Sequence, residues 1–192
     1  HKNQHIVVWG LGDFKTDRED VHYINCKDEK ELLEEFMLFW QQTTPDIVTG
    51  WNVDFFDIPY LMNRIKLLFG EDKIKCFSPW GNVTSQEKLM YRKFTYTNQE
   101  NYRLDHIAFV ELGERKDENP HETFKDWYTK DYQSFIDYNI SDVELVDKLE
   151  NKLKLIELIT TMAYDFKVNY TDMLGTVKYW DNLIYNYLRQ KN

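Results

Sequence analysis

The sequence predicts a layered α/β domain whose C-terminal half is helical. Two short apolar runs near the start alternate with helix-period segments, and from about residue 130 the pattern is helical almost throughout. Composition agrees: 192 residues, 42% hydrophobic, 30% charged and 16% aromatic, describe a globular chain long enough to bury a core.

His5 to Trp9 reads as a strand closed by the Gly10-Leu11-Gly12 turn, and Val21 to Asn25 as a second strand. Asp28, with Glu31 three residues later, is a capping-box signature for a helix whose apolar face is Leu32, Leu33, Phe36, Phe39 and Trp40. Thr43-Thr44-Pro45 ends it. Ile47 to Trp51 is the next predicted strand, and Asp57-Ile58-Pro59 opens a helix that runs to Gly70. The pattern weakens from Glu71 to Phe94. A short helix follows over Arg103 to Leu112, closed by Gly113, then a charged loop from Glu114 to Glu122 and a small ordered turn at Phe124 to Tyr128. One long helical region is expected from Lys130 or Asp131 through Tyr164, and a last helix over Thr171 to Leu188.

No apolar run is long enough to span a membrane, and the first residues lack the order of a signal peptide. Cys26 and Cys76 have no metal-ligand spacing and read as free thiols, so a cytoplasmic location is expected. The net charge of −9 argues against a general phosphate-coating protein, but not against a nuclease, because a metal-dependent site is itself acidic. The basic pairs Lys73 with Lys75, Arg92 with Lys93, and Arg115 with Lys116 read as solvated surface. The five histidines show no ligand spacing, and His106 reads as a packing residue. There is no Gly-rich phosphate loop, zinc pattern or nucleophile elbow.

Two acids stand out. Asp57 follows an apolar run and precedes Ile-Pro, where an N-cap would sit; the end of a sheet strand is also where α/β folds place their sites. Trp51, Asn52, Phe55 and Phe56 cluster near it, an amide and aromatics able to hold and stack an unpaired nucleotide. Asp142 lies four residues after Tyr138, hence on one helix face with it, either as a surface acid beside a half-buried phenol or as part of a site. Glu144 points elsewhere, toward solvent. Two separated acids and a tyrosine suit metal-assisted phosphodiester hydrolysis.

These residues carry a resemblance. TGWNVDFFDIPYLMNR resembles the second exonuclease motif of the 3′→5′ proofreading exonuclease domain of family B DNA polymerases, and YNISDVE the third. FSPWGNV, KFTYTNQENYRLDHIA and VKYWDNLIYNYL are similar to the T4-type bacteriophage group of that family. The resemblance implies a ribonuclease H-like fold, a mixed sheet flanked by helices. It implies Asp57 and Asp142 as two of four carboxylates for two Mg²⁺ or Mn²⁺ ions, Tyr138 as the residue that positions the attacking water, and Asn52 and Phe56 near the unpaired 3′ end. The implied partners are a single-stranded DNA 3′ end or primer-template DNA and the remainder of a polymerase chain, with no membrane.

Two departures set further expectations. The family's Asp-x-Glu first motif has no counterpart ahead of His5, and the connection from Val83 to Arg92 is short. Residues 1–192 are therefore expected to form a single exonuclease domain fragment without the first motif or the polymerase domain, with a chain gap near 84–90. The competing expectation is a catalytically incomplete scaffold that contacts single-stranded DNA.

Overall fold

A computed structural model describes residues 4–81, 99–116, 119–175 and 177–191; the 84–90 connection lies outside them. The chain is mixed α/β and mostly helical. Its Cα trace divides into two compact units, one of His1–Glu87 with Lys116–Glu144, the other of Lys88–Arg115 with Leu145–Asn192.

In the first unit, β1 (Ile6–Gly10) and β2 (Val21–Asn25) pair in parallel with Ile6 beside Val21 and Val7 beside His22. Side chains alternate along a strand, so Ile6, Val8, Val21 and Tyr23 share one face. That face packs with Phe14 against Tyr132, Phe135, Ile136 and Ile140. On the other side Trp9 sets its ring edge-on to Phe36 and Phe39. Gly10 has no side chain because the Tyr23 and Tyr132 phenols approach where a Cβ would stand.

Helix α1 (Glu29–Thr43) starts as its capping signature predicts. The Glu31 amide donates to Asp28 Oδ1 at 2.9 Å, while Glu31 Oε2 accepts from the Lys27 amide, one residue before the usual partner. It ends at Thr44, left-handed at φ 40°, before Pro45. Helix α2 (Ile58–Phe69) packs Ile65, fully buried, against Leu33 and Met37. Burial of such a side chain stabilises by about 1.5–3 kcal/mol. Gly70 closes α2 at φ 91°. A 3₁₀ turn over Glu71–Phe77, which the weak pattern there did not foretell, forms because Ile74, Cys76 and Phe77 complete this core and Trp40 Nε1 donates to the Phe77 carbonyl. Cys26 and Cys76 are free thiols.

The expected strand over Ile47 to Trp51 is absent: residues 47–50 have no regular structure. A strand exists only with a ladder partner, and among the described residues β1 and β2 pair only with each other, leaving Ile47 and Val48 exposed. In the expected strand's wake comes a π-helical turn, Val53–Asp57, continuous with α2.

Helix α3 (Leu104–Leu112) closes at Gly113 as expected, and the expected turn at Phe124 is a full helix, α4 (Phe124–Lys130), capped by Thr123. The long helical region is two helices, α5 (Tyr132–Leu153) and α6 (Leu155–Phe166), because Lys154 turns left-handed at φ 51° and the Glu150 carboxylate caps the Ile156 amide. The last predicted helix also divides, into α7 (Tyr170–Met173) and α8 (Lys178–Lys191). In the second unit Ile159, Ala163 and Met173 form the core with Phe166 and Tyr179, and Asn182 Nδ2 donates to the terminal carbonyls Phe166 and Lys167. No helix among the described residues is long and apolar enough to cross a membrane.

Candidate active site

Helix α5 carries Tyr138 and Asp142 one turn apart, on one face, as their spacing requires. Tyr138 rests on an aromatic wall: its ring centroid is 4.7 Å from that of Trp127 and 6.3 Å from that of Phe124. Trp127 is almost fully buried and is pinned by a 3.0 Å bond from its Nε1 to Ser134 Oγ. Tyr138 therefore sits at a fixed height below the carboxylate.

Asp142 is half-buried rather than a surface acid, and it holds a cation. Lys116 Nζ lies 2.5 Å from Asp142 Oδ2 and 4.6 Å from the centre of the Tyr138 ring. Burial works against the charge on Lys116, but hydrogen bonds to Asp142 and to the Tyr138 hydroxyl outweigh it and hold the ammonium above the usual lysine range. The reading of Arg115 and Lys116 as plain surface is thus corrected for Lys116. Its partners stand 22 and 26 residues away in sequence, beyond any spacing rule, and no signal in the chain marked it. Glu144 does not simply face solvent either: its Oε1 pairs with Arg18 Nη2 at 2.6 Å.

Asn52, Phe56 and Asp57 are gathered by the π turn. The Asn52 carbonyl accepts from the amides of Phe55, Phe56 and Asp57 at 3.1, 2.8 and 3.3 Å. Asp57 is exposed, helical at φ −63°, and its side chain caps nothing. The N-cap reading is corrected, because the π turn already supplies the carbonyls and amides that a helix start would leave open. Phe55 and Phe56 are exposed, and Phe56 stacks on Tyr60, also exposed, with centroids 5.7 Å apart and planes 11° from parallel. Tyr60 was readable from the sequence: an aromatic four residues after Phe56 in a helix meets it.

Oxygen, the donor type of each aspartate taken singly, is what a hard divalent cation takes. Both aspartates offer oxygen alone, the choice of Mg²⁺ and Mn²⁺, Asp142 Oδ2 already binds a positive charge, and Asp57 is not spent on a cap. Among the described residues no three His, Cys, Asp or Glu side chains gather where they could hold one ion. His106 Nε2 is buried without a hydrogen-bond partner among them.

A sequence model of the exonuclease domain of DNA polymerase family B matches residues 2–112. The chain belongs to that family. Asp57 lies inside the matched span of this exonuclease-domain chain, Tyr138 and Asp142 beyond its end. The chain is 36% identical to the DNA-directed DNA polymerase of Escherichia phage RB69 across 91% of its own length and 22% of that protein. It is 32% identical to the DNA-directed DNA polymerase of Enterobacteria phage T4 across 88% of its length and 21% of that protein. A DNA polymerase of Orgyia pseudotsugata multicapsid polyhedrosis virus is 23% identical across 91% of the chain. The exonuclease-domain chain spans about a fifth of the length of the two phage polymerases it matches.

Proposed function

We propose that this chain is a 3′→5′ exonuclease domain of the proofreading kind, with a ribonuclease H-like architecture, which hydrolyses the terminal phosphodiester of a single-stranded DNA 3′ end. The observation that carries the reading is membership of the exonuclease-domain family, and the half-buried Asp142 carboxylate above the Tyr138 ring, which rests on Trp127, supports it.

In this reading Asp57 and Asp142 hold Mg²⁺ or Mn²⁺. When bound, such ions supply Lewis acidity and an attacking hydroxide at neutral pH. The chain's own residues do the rest. Tyr138, fixed on Trp127, holds the attacking water in line through its hydroxyl. Lys116 offsets the charge of Asp142. The Phe56–Tyr60 stack offers a flat apolar face to the terminal base, and Asn52 a side-chain amide to its edge. Frayed ends are preferred because a paired terminus must first be unstacked. In the natural setting the substrate is primer-template DNA and the partner is the remainder of a polymerase chain.

A second reading has one observation in its favour. A short Lys116–Asp142 pair is also what a purely structural ion pair would look like, as in a scaffold that contacts DNA without cutting it. Degradation of a 5′-labelled single-stranded oligonucleotide in Mg²⁺ or Mn²⁺ separates the two. The exonuclease yields a 3′-to-5′ ladder that Asp142→Ala and Asp57→Asn both abolish. Asp57→Asn should leave stability within about 0.5 kcal/mol, as no cap is lost. Intact oligonucleotide with the folded parent chain means the scaffold.

A further inference from the structure

Two histidines that no spacing in the sequence links are brought face to face by the strand register. Val7 lies beside His22, and His5, two residues before Val7, projects to the same side of the sheet. The opposite side is core, through Ile6, Val8, Val21 and Tyr23. A one-residue slip would bury the imidazoles and expose those apolar side chains, so the core fixes the histidine pair in place.

The geometry of the pair is specific. His22 Nε2 stands 3.4 Å from His5 Nδ1, and the ring centroids are 5.3 Å apart with planes 36° from parallel. That contact is a long hydrogen bond, past the roughly 2.7–3.2 Å of most bonds from nitrogen, and which ring donates depends on the tautomer. The same separation fits a tetrahedral ion in place of the shared proton. Two nitrogens each about 2.1 Å from such an ion lie about 3.4 Å from one another. Carried about 1.15 Å further along each bond to the ring centres, the same angle gives about 5.3 Å. Both distances are met together, with the two nitrogens turned toward each other and both rings exposed to solvent.

One carboxylate stands near the pair. The Asp20 carbonyl accepts from the Ile6 amide at 2.8 Å, which brings the Asp20 carboxylate close enough to interact with His5. That carboxylate is itself engaged by Arg18 at 2.6 Å, so it is not counted as a ligand.

We propose that His5 and His22 form a two-imidazole surface site for a borderline transition ion, of which Zn²⁺ is the type, with water in the remaining positions. Nitrogen donors select such ions over Mg²⁺ and Mn²⁺, so the site is chemically distinct from the all-oxygen Asp57 and Asp142. It needs no element outside β1, β2 and the residue that precedes β1.

The test is calorimetric titration of the 192-residue chain with Zn²⁺ alone, in buffer holding excess Mg²⁺ to occupy oxygen donors. Histidine ring nitrogen resonances are followed in parallel. One ion per chain is expected, with His5 Nδ1 and His22 Nε2 both shifting. Because the second imidazole acts intramolecularly once the first has bound, His5→Gln and His22→Gln should each weaken binding by about tenfold or more, to a similar degree. Asp142→Ala should leave it unchanged. Both histidines are exposed, so the variants should fold, which far-ultraviolet circular dichroism checks. Binding that survives either histidine substitution, that depends on one histidine alone, or that falls with Asp142→Ala overturns the proposal.

Discussion

Lys116 shows how much a single residue can hide from sequence reasoning. Tyr138 and Asp142 were legible because four residues along a helix is one turn, a rule that needs no tertiary information. Lys116 reaches them from another segment, and only folding brings its ammonium to the carboxylate. The same holds for His5 and His22, whose meeting depends on a strand register. The N-cap reading of Asp57 fails for the opposite reason: the local signal is strong, but a π turn removes the need that the cap would have met. At this scale Lys116→Met makes a prediction. It leaves a half-buried carboxylate without its ammonium and should lower stability by about 1–3 kcal/mol. If Asp142 is a ligand, Mg²⁺ should then raise the melting temperature of the variant more than that of the parent. Equal increments by differential scanning fluorimetry would place the ion elsewhere.

At the scale of elements, boundaries were readable wherever side chains make them. Asp28 and Glu31 start α1, Gly70 ends α2 and Gly113 ends α3, each through a local cap. Breaks made by other means were not readable. Lys154 takes a left-handed conformation without being glycine, and its signal is the Glu150 side chain that caps the next helix. Ile47 to Trp51 has strand composition without a ladder. Helices α1 and α2 are further joined by Arg64, which donates to both Glu29 oxygens at 2.6 and 2.5 Å. Those bonds hold the Glu29 carboxyl below the usual glutamate range. The unfolded chain therefore takes up the proton first as pH falls. The stability from this pair is whole above roughly pH 5 and is lost as the pH drops through the lowered value. Glu29→Gln should accordingly show a smaller fall in urea midpoint between pH 6 and pH 3 than the parent, by a modest margin because both partners are partly exposed.

For the molecule as a whole, a net charge of −9 sets how it would meet DNA in the proposed function. A basic groove that contacts 6–10 phosphates loses about 10³–10⁵ in affinity between 50 and 200 mM salt. This chain has no such excess of positive charge, so its binding to a single strand should rest on stacking and on divalent ions. Affinity for a 3′ single-stranded oligonucleotide, read by anisotropy with Asp142→Asn to prevent cutting, should change by less than about tenfold over that range. The α/β class was legible at this scale because composition and periodicity report on it directly. The two-unit division was not, since it depends on which distant segments meet. That division has a consequence for how the chain is made. The first unit's core joins Phe14 and Val21 to Ile136 and Ile140, and the Leu11 amide bonds to Tyr132, 121 residues later. At about 5–20 residues per second, the ribosome leaves the opening strands waiting roughly 6–24 s for the helix that covers them. Newly made chains thus pass through an interval in which β1 and β2 lack that cover, so chaperone dependence during synthesis should end only as α5 emerges.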